Sequence, residues 1–431
     1  MNSSQLESSL ERLLRTISPQ IAEILDHALS GKDITVDQAT RLFDAEGSDL
    51  LAMIAAADDL RSRTVGDVVT YVINRNINFT NVCVKACGFC AFSRGHLAEE
   101  GYYLPVEEII RRAQEARALG ATEVCVQAGL APGMDGWHYV NLCRALKEAL
   151  PDLHIHGFSP EEVLYGATLA RVTVRDYLIA LKEAGVGSLP GTSAEILVDA
   201  VRQQVSPGRI GVTQWIELIQ TAHEVGIPTT STIMYGFVES SRDKAVHLDI
   251  LRQVQRRTGG ITEFVPLSFV YEEAPMFHRK PPPGLRRGAS GAEVMKMYAV
   301  PRLMLNNDIP NLQVSWVKEG PKLSQIALLA GANDFGGTLI NESISTAAGA
   351  SYGQLMKPSQ FRGMIREMSR IPAERSTTYQ KVRIFESEAH HRDLLDDVND
   401  PKERFGSYQN LIQLKQYRFR DFYREQKTAK S

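Results

Sequence analysis

Asn81-Val82-Cys83-Val84-Lys85-Ala86-Cys87-Gly88-Phe89-Cys90-Ala91-Phe92 sets three of the five cysteines of the chain at Cys-x3-Cys-x2-Cys spacing, directly after a strand-like run. Three thiolates on one short loop can hold three corners of a cubane iron–sulfur cluster and leave the fourth iron open to a small molecule. A structural zinc site is the competing reading, with His96 completing a Cys3His set, but there is no second Cys-x2-Cys pair after it. Gly88 and Phe89 suit a loop wrapped closely around its ligand.

The triad, with an aromatic residue just before its last cysteine, resembles the cluster loop of radical S-adenosylmethionine (SAM) enzymes. The resemblance implies that Cys83, Cys87 and Cys90 hold a [4Fe-4S] cluster and that the open iron chelates SAM. One electron then cleaves SAM to methionine and a 5′-deoxyadenosyl radical. Phe89 is expected beside the adenine.

Outside this loop the composition is that of ordinary globular material, with 431 residues, 43% hydrophobic and 23% charged, enough for one large domain with appendages. A net charge of -3 leaves no broad basic field, which argues against nucleic acid or anionic membrane as partners and for small molecules. Residues 1–12 carry acids and serines without an apolar core, and no apolar run approaches a membrane span. A cytoplasmic location is expected, and cysteines clustered rather than spread as a disulfide framework agree with a reducing compartment.

Residues 1–66 read as a helical lead-in capping one end of the next domain. Leu6, Leu10, Leu13 and Leu14 form one stripe, and Ile21, Ile24, Leu25 and Leu29 another. Thr35 and Gln38 have capping-box spacing. Residues 67–380 alternate strand and helix, with strands expected at 70–78, 123–127, 154–157, 186–189, 228–234, 261–265, 312–316 and 332–335. Helices such as 213–225 and 242–257 separate them. Eight strands with helical crossovers predict an α/β fold, a closed (β/α) barrel of the TIM type; a six-stranded open barrel is the alternative. Residues 381–431 read as a charged helical extension, largely exposed, whose pair His390-His391 reads as solvated.

In such a barrel, functional groups gather at the C-terminal ends of the strands. The second strand ends in Gln127 and Gly129, small and polar enough for a backbone to lie against a ligand. His154 and His156, at alternate positions of the third strand, share one face, with Ser159 and Glu161 beyond them. Ser193 and Glu195 close the fourth strand, Tyr235 and Glu239 the fifth, and Asn333, Asp334 and Glu342 the eighth. Facing inward, the two histidines, Tyr235 and Glu239 are the candidate catalytic groups, with Ser159, Glu161, Asn333, Asp334 and Glu342 as candidate substrate ligands. Gln127, Gly129, Ser193 and Glu195 are candidate SAM ligands.

Residues 50–380 together resemble the tyrosine-using subunit of FO synthase, most specifically in Ala91-Phe92-Ser93-Arg94 and in 154–162, 189–195 and 331–354. That family implies transfer of a 4-hydroxybenzyl group from L-tyrosine to 5-amino-6-(D-ribitylamino)uracil in deazaflavin biosynthesis. A hydrogen atom is taken from tyrosine, the Cα–Cβ bond breaks, the benzyl group adds to the uracil and 2-iminoacetate leaves. The resemblance also implies a second radical SAM subunit that closes the ring, and an electron donor such as ferredoxin or flavodoxin. Ala128, Ala131 and Phe237 depart from the family pattern, which expects glycine or histidine there. The departures favour a second reading, a related radical SAM enzyme of the aminofutalosine synthase and cyclase group or a paralogue with another acceptor; a non-catalytic metal-binding protein is the alternative of a different class.

Overall fold

From Val68 onward the chain alternates strand and helix, giving β1 (Val68–Val72), β2 (Asn74–Ile77), β3 (Glu123–Val126), β4 (His154–His156), β5 (Val186–Ser188), β6 (Thr229–Tyr235), β7 (Ile261–Ser268) and β8 (Asp334–Gly337). The computed structural model describes residues 11–12, 14–387 and 391–428. Every pairing among these eight strands is parallel. Parallel neighbours need crossovers, and helices such as Val106–Ala118, His138–Ala149 and Val212–Glu224 supply them.

Single bridges join the strand groups into a ring: Leu189↔Thr229, Phe264↔Leu312, Gln313↔Asp334 and Arg75↔Ile340. The barrel is closed and eight positions go round it, as expected. Its seventh position is the least regular, because only residues 312–314 pair. Gln313 donates to the Phe264 carbonyl and Val314 to that of Asp334, and the chain then turns into the helix Trp316–Glu319. The strand expected over 312–316 is shorter for that reason. The first barrel strand is broken at Ile73 because its halves have different neighbours: β2 pairs with β3, whereas β1 pairs with an added parallel strand, β9 (Ile371–Arg375). An antiparallel strand, β10 (Lys381–Ile384), pairs with β9 in turn.

Strand alternation sorts the two surfaces of the barrel wall. Val124 and Val126 on β3 are fully buried, as are Ile109, Ala113 and Ala116 of the helix Val106–Ala118 in the same core cluster. Each such aliphatic side chain removed from water contributes roughly 1.5–3 kcal/mol. The intervening Glu123 and Cys125 face the barrel interior.

The helices Pro19–Leu29, Val36–Asp44 and Gly47–Val65 precede the barrel. The capping box at Thr35 forms as read: its hydroxyl accepts from the Gln38 N–H at 3.2 Å and the Gln38 side chain accepts from the Thr35 N–H at 2.8 Å. Val36–Asp44 lies along the flank of the barrel helix Ser241–Thr258, with Asp33 on Arg256, Phe43 under Lys244 and Asp44 on Ser241. Ile21, Ile24 and Leu25 are buried as their spacing predicts, while Leu6, Leu10 and Leu13 lie outside the described residues.

The charged tail is not a solvated linker. Arg362 pairs with Asp393 at 2.5 Å and Asp396 at 3.3 Å, and Leu395, Phe405, Tyr408, Leu411 and Phe419 are buried. Tyr408 packs on Phe92 with ring centroids 5.6 Å apart, and Phe419 joins Val82 and Ala131 in a small apolar cluster. The segment therefore straps the back of the cysteine loop. His391 hydrogen-bonds Asp393 at 3.2 Å, and His390 lies outside the described residues. Among the described residues no helix is long and apolar enough to cross a membrane.

Candidate active site

A cavity of about 430 Å³ fills the barrel and is lined by Cys83, Cys87 and Cys90. The cysteine loop is fixed by backbone bonds to three other segments: Cys83 N–H to the Arg94 carbonyl, Gly88 N–H to that of Val205, and Met276 N–H to that of Gly88. The donor set suits an iron–sulfur cluster. Lys85 N–H points at the Cys83 sulfur from 3.4 Å and the Arg209 guanidinium at the Cys87 sulfur from 3.6 Å. Donors aimed at sulfur stabilise the thiolate form that ligates iron. Burial pushes the Cys87 thiol up to about 12 and raises Cys90 as well, so iron must displace protons on binding. The zinc alternative finds no support in the donor positions. The His96 ring packs on Tyr423 at 5.4 Å, away from the cavity wall, and among the described residues no three His, Cys, Asp or Glu groups converge as a single-ion site.

Phe89, Gln127, Gly129, Ser193 and Glu195 all line the cavity. Gln127 donates to Thr192 Oγ1 at 2.7 Å. Gly129 lies so close to the cysteine loop that a Cβ there would sit 2.3 Å from the Val82 carbonyl oxygen, which excludes any other residue. The neighbouring Ala128 N–H is held at 2.9 Å by Glu162, whose carboxyl burial raises to about 7. Arg209 ties this wall together: it lies over the Phe89 ring at 5.9 Å and pairs with Glu195 at 3.0 Å and Glu161 at 3.3 Å. Burial alone would raise the Glu161 carboxyl, but Arg209, the Ile210 N–H and Lys85 hold it below the usual range.

Ser159, Glu161, Glu342 and His156 also reach the cavity. Ser159 does double duty, because its hydroxyl and N–H also form a capping box with Glu162. His156 Nδ1 lies 2.7 Å from Ser188 Oγ, and burial pulls its imidazole down to about 4, so it is neutral near pH 7. Five of the sequence candidates stand elsewhere. His154 shares the strand face but sits one layer deeper, its Nε2 2.8 Å from the same Ser188 Oγ. Tyr235 is fully buried and donates to Glu319 at 2.9 Å. Glu239 accepts from the Gly236 and Phe237 N–H groups and pairs with Arg286. Asn333 binds Arg302 and the Leu312 N–H. Asp334 is taken by Thr70 and Arg375. None of the five lines the cavity, because each carboxylate, amide or hydroxyl is consumed by the wall itself.

Several cavity residues carry little mark in the sequence. Asn74, Asn76, Glu123 and Cys125 are inward positions of β2 and β3, and strand parity could have found them. Arg209, Lys318 and Arg375 come from outside the eight barrel strands and have no local signal. Of the three departures from the family pattern, only Ala128 lines the cavity. Ala131 lies in the apolar cluster with Phe419, and Phe237 packs on Phe269 at 6.1 Å.

A closed parallel barrel whose mouth carries a three-cysteine loop defines a radical SAM protein, and the radical SAM superfamily profile matches residues 77–250. A second profile, the CofH/MqnC C-terminal region, matches residues 258–388. The chain is 48% identical over 367 residues to the 5-amino-6-(D-ribitylamino)uracil–L-tyrosine 4-hydroxyphenyl transferase of Methanothermobacter thermautotrophicus, covering 85% of this chain and 99% of the relative. It is 45% identical over 352 residues to the transferase of the same name from Methanocaldococcus jannaschii, covering 81% and 97%. The chain thus belongs to the radical SAM family of these transferases. Among solved structures, methylornithine synthase superposes with a TM-score of 0.61 at 20% identity, over 81% of this chain and 97% of that one. The hydrogenase maturase HydG gives 0.65 at 16%, over 86% and 80%. Both share the fold.

Proposed function

We propose that this chain transfers the 4-hydroxybenzyl group of L-tyrosine to 5-amino-6-(D-ribitylamino)uracil, the step that assembles the deazaflavin precursor. The observation carrying this reading is that the three cysteines and the polar groups following β3, β4 and β5 line one cavity, in a chain 48% identical to a transferase of that name. Cys83, Cys87 and Cys90 would hold the [4Fe-4S] cluster, which with SAM supplies the 5′-deoxyadenosyl radical.

The remaining work belongs to the protein, and most of it is positioning. Gln127, the backbone at Gly129, Ser193 and Glu195 form the wall nearest the cysteine loop and are the groups for SAM. Arg209 orients that wall by bridging Glu195 and Glu161 across Phe89. His156, neutral and steadied by Ser188, offers a hydrogen bond to a substrate without adding charge. Asn76, whose buried Oδ1 has no hydrogen-bond partner among the described residues, and Glu123, steadied by the Asn74 amide, supply groups that a ribityl chain and a uracil edge require. A one-electron donor such as ferredoxin or flavodoxin, and a second radical SAM subunit that closes the ring, complete this reading.

The test is anaerobic reconstitution with iron and sulfide, then addition of reductant, SAM, tyrosine and the ribitylaminouracil, with products read by mass spectrometry. A hydroxybenzyl–uracil adduct accompanied by deoxyadenosine is expected. Deoxyadenosine without adduct would move the acceptor elsewhere.

A further inference from the structure

Two charges of opposite sign face the cavity without meeting each other. Lys318, in the helix Trp316–Glu319, is half-buried and lines the cavity. Among the described residues its ammonium has no hydrogen-bond or ion-pair partner. Glu342, after β8, lines the same cavity and is buried. Its carboxylate accepts from the Ser345 N–H at 2.8 and 3.1 Å but has no cation within ion-pair distance among the described residues. Burial costs are expressed in both groups: Lys318 is lowered by burial and Glu342 is raised by burial. The other cations lining this cavity, Lys85, Arg209 and Arg375, are each paired with a carboxylate. A cation and an anion in one cavity that feel each other's charge without forming an ion pair match a ligand carrying both signs at one end.

We propose that Lys318 and Glu342 clamp the zwitterionic end of the amino acid substrate, Lys318 taking the α-carboxylate and Glu342 the α-ammonium. This rests on the transferase reading and adds to it the residues that select a free amino acid. Lys318 and Glu342 line the same cavity as Cys83, Cys87 and Cys90, so the end of tyrosine at which the carbon–carbon bond breaks would be held in the space that the cysteine loop faces. SAM is itself an α-amino acid, so the test must separate the two ligands.

Binding of radiolabelled L-tyrosine and of SAM is measured by equilibrium dialysis on the cluster-loaded protein, with tyramine and 3-(4-hydroxyphenyl)propanoate as tyrosine lacking one charge each. Iron content and the cluster absorption serve as the fold control. For Lys318→Met, a tyrosine Kd raised roughly tenfold to a hundredfold is expected, the range for a lost charged hydrogen bond. The SAM and tyramine Kd values should stay within about twofold of wild type. Glu342→Gln should weaken tyrosine and tyramine but not the propanoate. Should a variant fail to load its cluster, the wild type decides alone: it must bind tyrosine at least about tenfold more tightly than either analogue.

A Lys318→Met protein with weakened SAM and unaltered tyrosine would assign the lysine to SAM and overturn the clamp. Equal weakening of tyrosine and tyramine would overturn it too. Adduct formation by wild type with no change in Lys318→Met would leave the transferase reading standing and the clamp refuted. Tight, variant-sensitive tyrosine binding without adduct would do the reverse.

Discussion

His154 and His156 meet at one hydroxyl, the Oγ of Ser188, yet only His156 touches the cavity. His154 instead lies over Gly187, where a Cβ would come within 2.4 Å of its ring. Their roles should separate on mutation. His156→Ala is expected to keep deoxyadenosine formation while adduct falls at least about tenfold, the scale of one charge-free positioning contact. His154→Ala should lower the melting temperature and leave both products in their wild-type ratio. Cys87→Ala should retain no cluster iron and form no deoxyadenosine, read by iron assay and chromatography; deoxyadenosine from that variant would sink the cluster assignment. Strand parity made the shared face of the two histidines legible in the sequence. Depth along the strand was not, because three residues of β4 span both the wall and its foundation. Tyr235, Glu239, Asn333 and Asp334 failed for a related reason: polar residues at strand ends also close the ends of the wall on themselves.

At the scale of elements, the short helix Trp316–Glu319 replaces the last part of an expected strand and brings two opposite charges into adjacent positions. Lys318 faces the cavity, whereas Glu319 turns away, accepting hydroxyls from Tyr235 at 2.9 Å and Tyr298 at 2.8 Å. Burial raises the Glu319 carboxyl to about 7, from the ordinary value of 4.5. The folded state therefore holds a proton there that the unfolded state releases, and stability falls as pH rises from about 4.5 through 7. Glu319→Gln removes that loss. Its melting temperature, compared with wild type, should improve between pH 5 and pH 8 by the equivalent of roughly 3 kcal/mol at most, since each pKa unit is worth ~1.4 kcal/mol. An identical pH profile in the two proteins would refute the buried-acid account. No periodicity announces this helix, since four residues make barely one turn. The helices that carry full turns, by contrast, were legible from their stripes and caps, as at Thr35 and Ile21.

For the whole molecule, repetition carried the most information. Eight short apolar runs separated by amphipathic helices allow few arrangements, and the barrel was readable although its seventh strand is only residues 312–314. What stayed hidden were contacts between distant parts of the chain: β9 beside β1, the flank position of the first helices, and the fold-back of residues 391–428. The fold-back should matter to the iron. Phe419→Ala empties a site between Val82 and Ala131, and a fully buried Phe lost in this way costs about 3 kcal/mol or more. Faster loss of iron to a chelator is expected, with an unchanged affinity for tyrosine.

The strap also imposes an order in time. Asn81 and Tyr408, whose side chains meet at 3.4 Å, are separated by 327 positions. At a synthesis rate of roughly 5–20 residues per second, the loop that will carry the iron leaves the ribosome on the order of tens of seconds before its backing exists. Until then Phe92 and Val82 have no cover from the tail. A culture that outruns its cluster supply should accumulate protein that is folded around the barrel yet colourless.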